Sequence, residues 1–276
     1  MSKIKDVVYR IIDLLRTEKQ VPIFTASSQS SMLKNKIALI SGGTGGIGIA
    51  IAKKFLDDGC CVIITGTSLS SVEKGLTKLS NDRAAGICLR MNEIGSFREK
   101  ISEASKFFGN IDILVNCAGI NDPSPFLEVT EEIYDRIMDV NAKGLYFLTQ
   151  AVAKDMIKNK KNGHILNISS ASALRPASTP YTISKCAVSG MTKGFADVLI
   201  KYGITVNAIA PGPVATEMVG KMDVDDISHS SCPAGRYAMP DEIANFAEYL
   251  VSGQGNLIVG ETVYITGGSG VISLHK

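Results

Sequence analysis

The run KIALISGGTGGIG, residues 36–48, joins an apolar, β-branched stretch directly to a turn with glycines at 42, 46 and 48. Helical periodicity begins immediately after it. A strand buried on both faces of a parallel sheet reads as such a continuous apolar run. Glycine at its carboxyl end lets the chain turn tightly and lets a ligand approach the backbone. The first amides of the following helix lack intrahelical partners and, with the helix dipole, favour an anion such as a pyrophosphate. Placed between a first strand and a first helix, the Gly-x-x-x-Gly-x-Gly spacing reads as a dinucleotide-binding turn. Gly42, Thr44, Gly46, Ile47 and Gly48 are its candidate cofactor contacts.

The same alternation continues outward. CVIITG, GICLRM, IDILVN, GHILNIS, GITVNAIA and ETVYIT follow KIALIS as short apolar runs. Helical patterns separate them, ending near 58 and lying near 69–80, 95–108, 130–159, 180–201 and 240–251. Strands alternating with helices imply parallel pairing through crossover helices. The expectation is an α/β fold: a doubly wound, Rossmann-like three-layer sandwich around a seven-stranded parallel sheet. It forms one domain over residues 33–276, with ligands bound at the carboxyl ends of the strands.

Residues 1–32 differ. Ile4, Val7, Val8, Ile11, Ile12 and Leu15 share one helical face, and the polar run TASSQSS follows. This segment reads as an amphipathic helix and linker that docks on its own domain or on a sister subunit. Asp6, Asp13 and Glu18 do not fit a secretory or mitochondrial leader.

Composition removes several function classes. With 29 basic and 27 acidic residues the net charge is +2, and no basic stripe marks a nucleic-acid surface. The six cysteines form no CxxC pair and fall mostly in apolar runs, which points to reduced thiols in a cytoplasmic protein. The three histidines are too scattered for a metal site, so no metal is expected. No apolar run reaches the roughly 20 residues that a membrane span needs.

One further pair carries chemistry. In TPYTISKCAV, residues 179–188, Tyr181 and Lys185 stand one helical turn apart on the same face. Six segments now occur in order: the Gly42/Gly46/Gly48 turn, NCAG at 116–119, Asn141 in DVNAKG, NISS at 167–170, YTISK at 181–185 and PGPVAT at 211–216. Together they resemble the short-chain dehydrogenase/reductase family over residues 33–270. The resemblance implies a Rossmann-like domain in a homotetramer or dimer that moves hydride between a nicotinamide and a small-molecule carbonyl or alcohol.

It also implies a catalytic set of Asn141, Ser170, Tyr181 and Lys185. A phenol with a pKa near 10 transfers its proton more readily when a nearby ammonium stabilises the phenolate, which Lys185 can do for Tyr181. By resemblance Lys185 also holds the nicotinamide ribose, Ser170 polarises the substrate oxygen, and Asn141 bends its helix and anchors a proton-relaying water. The Ser170 to Tyr181 interval is 11 residues (181 minus 170), about two shorter than is usual in the family. Cofactor contacts implied in the same way are Asn92, Asn116, Ala118, Gly119, Pro211, Gly212, Val214 and Thr216, together with Tyr181 and Lys185. Cys117 stands where the family usually has a second asparagine, and Asn92 where aspartate is common.

The cofactor is read at the end of the second strand, where an acid would accept from the ribose 2′-hydroxyl of NAD. The run there is TGTSLSS, with no acid, so Thr67 and Ser68 point to NADP, with NAD the alternative. The arginine that commonly clamps a 2′-phosphate is missing from both this turn and the glycine-rich turn.

Motif detail is closest to the 3-oxoacyl-(acyl-carrier-protein) reductases, in the hydroxyl-rich second turn, LRMN, CPAGRYAMPDEIA at 232–244 and GETVYITGG. Acyl carrier protein is therefore a possible partner. In those reductases basic residues flank the active-site mouth. The matching positions here are Lys161 and Tyr202, the latter beside Lys201, and Asp223, Asp225 and Asp226 would repel an acidic carrier. The competing readings are a dehydrogenase or ketoreductase of a small polar alcohol, sugar or specialised metabolite, and a catalytically silent dinucleotide-binding partner protein.

Overall fold

A computed structural model describes residues 32–216 and 226–272; the helix and linker expected over residues 1–32 lie outside these but for Met32, as do Asp223 and Asp225. The seven apolar runs become β1 (Ile37–Ser41), β2 (Cys61–Gly66), β3 (Ala84–Cys88), β4 (Ile113–Asn116), β5 (His164–Ile168), β6 (Thr205–Pro211) and β7 (Thr262–Ile265). All pair in parallel, in the order β3-β2-β1-β4-β5-β6-β7. The order reverses between β1 and β4, which opens a crevice at their carboxyl ends.

Successive side chains of a strand face opposite sides, and the core divides accordingly. Ala38, Ile40, Val62 and Ile64 pack against α1 (Gly46–Asp57) and α7 (Pro240–Val251). Leu39, Ile63, Leu114 and Ile165 face α3 (Phe97–Phe108), α5 (Leu145–Lys158) and α6 (Pro180–Leu199). The helix α2 (Leu69–Leu79) covers β2 and β3, and starts at a Ser68/Ser71 capping box.

Two elements differ from the sequence reading. The expected strand GICLRM begins two residues earlier and leaves the sheet after Cys88, so Leu89, Arg90 and Met91 run off its carboxyl edge. The long helix expected near 130–159 is α4 (Glu131–Met138), a π-helical stretch Asp139–Gly144, and then α5. Gly144 packs so tightly on the Met91 carbonyl that a Cβ there would overlap it. The wide turn swings Asn141 inward rather than continuing the ladder, as such bulges often do at functional sites.

The amino edge of the sheet is closed by polar pairs. Asp112, just before β4, accepts from the Ile37 backbone N–H at 3.0 Å and pairs with Lys161 at 2.8 Å. His164, buried at the start of β5, shares a 2.8 Å hydrogen bond between Nδ1 and Thr205 Oγ1. Burial, then the nearby Lys36 charge, push its pKa down to about 4. The unfolded chain therefore takes up a proton below about pH 6.5 that the native protein refuses, and stability falls as pH drops through this window.

The shift from 6.5 to about 4 amounts to roughly 3 kcal/mol by pH 4. His164→Gln keeps a neutral partner for Thr205 and removes the titration. Denaturant midpoints measured at pH 7 and pH 5 should separate less for this variant than for the wild type. Equal separations would show that His164 does not set the acid limb.

Candidate active site

A cavity of about 350 Å³ opens at the carboxyl ends of β1, β4, β5 and β6. Gly42, Thr44, Gly46, Ile47, Ala118, Gly119, Ser170, Tyr181, Lys185, Pro211, Gly212, Val214 and Thr216 line it, so these sequence candidates are brought together from five segments. A larger hollow of about 720 Å³ between α3 and α5 contains none of them.

The glycine-rich turn forms one wall. Gly42 has φ +66°, and a Cβ there would lie 2.7 Å from the Ala118 Cα, so two backbones touch where a side chain would intrude. A Cβ on Gly48 would collide with the Gly42 carbonyl, which is why this glycine serves the turn from behind without lining the cavity. Ser41, the last residue of β1, accepts from the backbone N–H groups of Cys117 and Ala118 at 3.2 and 3.3 Å. That clamp was not among the sequence candidates, although a serine ending an otherwise apolar strand was its visible signal. The first turn of α1 carries no acid, so its free amides suit an anionic pyrophosphate. The bare backbone floor and this anion-compatible helix end fit a dinucleotide.

The opposite wall carries the chemistry. Thr179 caps α6, its Oγ1 accepting from Thr182 N at 3.2 Å, and Pro180 opens the helix. Tyr181 and Lys185 therefore emerge in the first turns, facing the cavity, with Lys185 Nζ 5.7 Å from the Tyr181 ring centre. Ser170, two residues past the end of β5, accepts from Ser172 N at 3.1 Å and lines the cavity with Tyr181. Its neighbour Ser169 turns inward, bonded to the Lys185 carbonyl at 3.0 Å and to Ser189 Oγ at 2.9 Å. Both serines line the cavity, and Ser169 has its hydroxyl engaged.

Burial dominates the electrostatics. It raises the Tyr181 phenol above its ordinary value, with the Ser170 hydrogen bond pulling the other way. Burial also pushes Lys185 down to about 8, opposed by the Cys117 thiol, while its Nζ donates to the Ile168 carbonyl at 2.8 Å. The Cys117 thiol, also at the cavity, is pushed up to about 11. In the protein alone burial thus favours the protonated phenol.

Other candidates do not reach the cavity. Asn116 spends its amide on Thr149 Oγ1 and Asn167 Oδ1, both at 2.9 Å, so it braces the strands beneath the site. Asn141, 1% exposed, accepts from Ile120 N at 2.8 Å and donates to Ile120 O at 2.9 Å and Ser184 Oγ at 3.1 Å. Ser184 in turn donates to the Tyr181 carbonyl at 2.7 Å, a second positioning residue that the sequence did not single out. Asn92 is exposed past the end of β3, without a place in the cavity lining. Thr67 and Ser68 stand behind the cavity wall, just past Gly66, which abuts Thr44.

Lys161 and Tyr202 require a correction. Both lie ahead of β5 and β6, at the amino edge of the sheet, and Lys161 is paired with Asp112. They do not flank the mouth of this chain's own cavity, which opens at the other edge.

The profile described as Enoyl-(Acyl carrier protein) reductase matches residues 42–270. A 3alpha-hydroxysteroid dehydrogenase of Mediterraneibacter gnavus is 35% identical, over 86% of this chain and 97% of its own length. A 3-oxoacyl-(acyl-carrier-protein) reductase of Haemophilus influenzae is also 35% identical, over 86% and 98%. The solved structure of a short-chain dehydrogenase/reductase from Serratia marcescens superposes with a TM-score of 0.77 at 31% identity, covering 86% of this chain and 98% of that one.

Asn141→Ala would leave the Ile120 amide and carbonyl and the Ser184 hydroxyl short of a partner, and should lower stability by roughly 2–3 kcal/mol. Denaturant unfolding would show it. A loss below about 0.5 kcal/mol, the size of an ordinary surface change, would contradict the bracing role.

Proposed function

Because the chain belongs to the short-chain dehydrogenase/reductase family, we propose that its cavity works with NADP in preference to NAD on a carbonyl or secondary alcohol, with a 3-oxoacyl thioester as substrate class. The observation that carries this reading is the meeting of Ser170, Tyr181 and Lys185 at one end of a cavity whose other wall is the glycine-rich turn.

Gly42, Thr44, Gly46, Ile47, Ala118, Gly119, Lys185, Pro211, Gly212, Val214 and Thr216 are the residues that would hold the dinucleotide. A bound nicotinamide supplies or accepts the hydride. In reduction Tyr181 gives the proton of its phenol to the substrate oxygen, and in oxidation it takes one back. Ser170, on the same cavity wall as that phenol, orients the same substrate oxygen. The buried Lys185 ammonium offsets the cost of a buried phenolate, and the Ile168 carbonyl keeps it aimed. Asn141 acts through Ser184 and the Ile120 segment, as a positioning residue.

A homotetramer or dimer is the assembly proposed, since Tyr146 and Phe147 on α5 and Val198 on α6 leave apolar surface exposed. A cytoplasmic setting is proposed, supported by the cysteine pattern alone.

The second substrate reading, a small polar alcohol, sugar or specialised metabolite, is favoured by the position of Lys161 on the far edge, which weakens the case for a carrier protein at this mouth. It is also consistent with equal identity to the hydroxysteroid dehydrogenase and the 3-oxoacyl reductase. Purified protein with NADPH or NADH, followed at the nicotinamide absorbance, separates the two. Turnover of 3-oxoacyl thioesters above ketosteroids and oxidised polyols supports the first, and the reverse order replaces it with the second.

Tyr181→Phe should cut kcat by at least about 10²-fold while leaving cofactor affinity nearly unchanged. If it kept about a tenth of the wild-type rate, the proton would have to come from another group. Lys185→Met should damage both kcat and cofactor affinity. The wild-type Lys185 loses its proton as pH rises through about 8. Cofactor affinity should therefore fall above that pH in the wild type and stay flat in the methionine variant, as binding titrations from pH 7 to 9.5 would show.

A further inference from the structure

We propose that Arg90 is the cation that receives the 2′-phosphate of NADP(H), an assignment that rests on the NADP reading above. No arginine occurs in the glycine-rich turn or in the run TGTSLSS after β2. The fold brings one in from the next strand.

The register pairs Thr65 with Ile87 and Gly66 with Cys88, and Leu89 N donates to the Gly66 carbonyl at 2.9 Å. Beyond that pair Thr67 leaves β2 opposite Leu89, with Arg90 the next residue along. Arg90 Nε donates to the Thr67 carbonyl at 3.0 Å. The guanidinium thus rests on the turn where a carboxylate would otherwise select the free ribose hydroxyls of NAD. This turn lies behind the cavity wall, because a Cβ on Gly66 would stand 2.9 Å from Thr44 Cγ2, and Thr44 lines the cavity.

The hydroxyls of the turn are not sufficient by themselves. Ser68 Oγ accepts from Ser71 N at 3.2 Å, Ser68 N donates to Ser71 Oγ at 3.3 Å, and Ser71 Oγ donates to the Ser68 carbonyl at 2.8 Å. The capping box has already engaged the Ser68 groups that would meet a phosphate. A phosphate monoester carries about −1.5 to −2 charges at neutral pH, and Arg90 is the guanidinium docked on this turn.

Arg90 is exposed, and its one ion pair among the described residues is Nη1 to Glu93 Oε1 at 3.2 Å, also exposed. Such a pair is weak, and Nη2 has no hydrogen-bond partner among the described residues. The fork can turn two donors to phosphate oxygens while Nε keeps its hold on Thr67. The adjacent Asn92, expected from the sequence to meet the adenine, is exposed beside it, so the basic residue rather than the amide gives this corner its selectivity.

The test is binding without turnover. Affinities for NADPH, NADH, 2′-phospho-ADP-ribose and ADP-ribose are measured by calorimetry for the full chain, Arg90→Ala, Arg90→Lys and Glu93→Gln. Arg90→Ala should weaken NADPH and 2′-phospho-ADP-ribose by about 10- to 100-fold, the worth of a charge-assisted hydrogen-bond pair, and NADH and ADP-ribose by less than about twofold. Arg90→Lys should recover part of the loss, as a point charge without the fork. Glu93→Gln should tighten NADPH by releasing the guanidinium. An unchanged melting temperature, expected for exposed positions, confirms intact folds. If the wild type prefers NADPH but Arg90→Ala keeps that preference, the assignment is overturned and the NADP reading stands. If the wild type binds NADH as tightly as NADPH, the NADP reading falls and the assignment with it.

Discussion

Beneath the cavity four buried side chains form one hydrogen-bonded chain, and the catalytic geometry depends on it. Thr149 of α5 accepts from Asn116 of β4, Asn116 donates also to Asn167 of β5, and Asn167 donates to Thr192 of α6 at 3.0 Å. All four are at most 1% exposed. In a low-dielectric interior a broken link would leave an amide or hydroxyl without water or partner, which makes the register of these four elements costly to change. The residues next along the strands are Cys117 and Ile168, the first on the cavity wall and the second holding Lys185. A two-helix, two-strand brace is thereby converted into the position of one ammonium group.

On that brace the active groups are set against their solvation preferences. Burial disfavours both a phenolate at Tyr181 and an ammonium at Lys185. A phenolate formed at Tyr181 during turnover would be stabilised by the ammonium one helical turn away. Ser184 within α6 and Asn141 from the π-helical stretch keep the pair in register, through hydrogen bonds to the Tyr181 carbonyl and to Ile120. The irregular helix at Asp139–Gly144 is the local distortion that lets Asn141 face this network.

The two edges of the sheet have different tasks. The amino edge is locked by Asp112, which ties β1 to Lys161, and by His164 on Thr205. The carboxyl edge is left open, with loops and bare backbone. Residues that neighbour the active site in sequence can therefore stand a strand's length from it, as Lys161 does relative to Ser170.

From the sequence alone, the run at residues 36–48 and the alternation after it determined the parallel, doubly wound sheet, because periodicity and glycine spacing are local properties of the chain. The four-residue interval of Tyr181 and Lys185 likewise placed both on one helix face before any coordinates were known. What distinguishes a lining residue from a bracing one was decided only in three dimensions. Asn116 and Ala118 are two residues apart, yet one turns inward to Asn167 and the other meets the cavity. Asn141 was singled out by its motif without its partners, and Ser41 and Ser184 read like ordinary serines, until partners arrive from 21 to 77 positions away. Arg90 belongs to the same class, since its contact with Thr67 depends on the register of β2 against β3. Register is set by packing across the whole sheet, and so lies beyond what a local pattern of residues can encode.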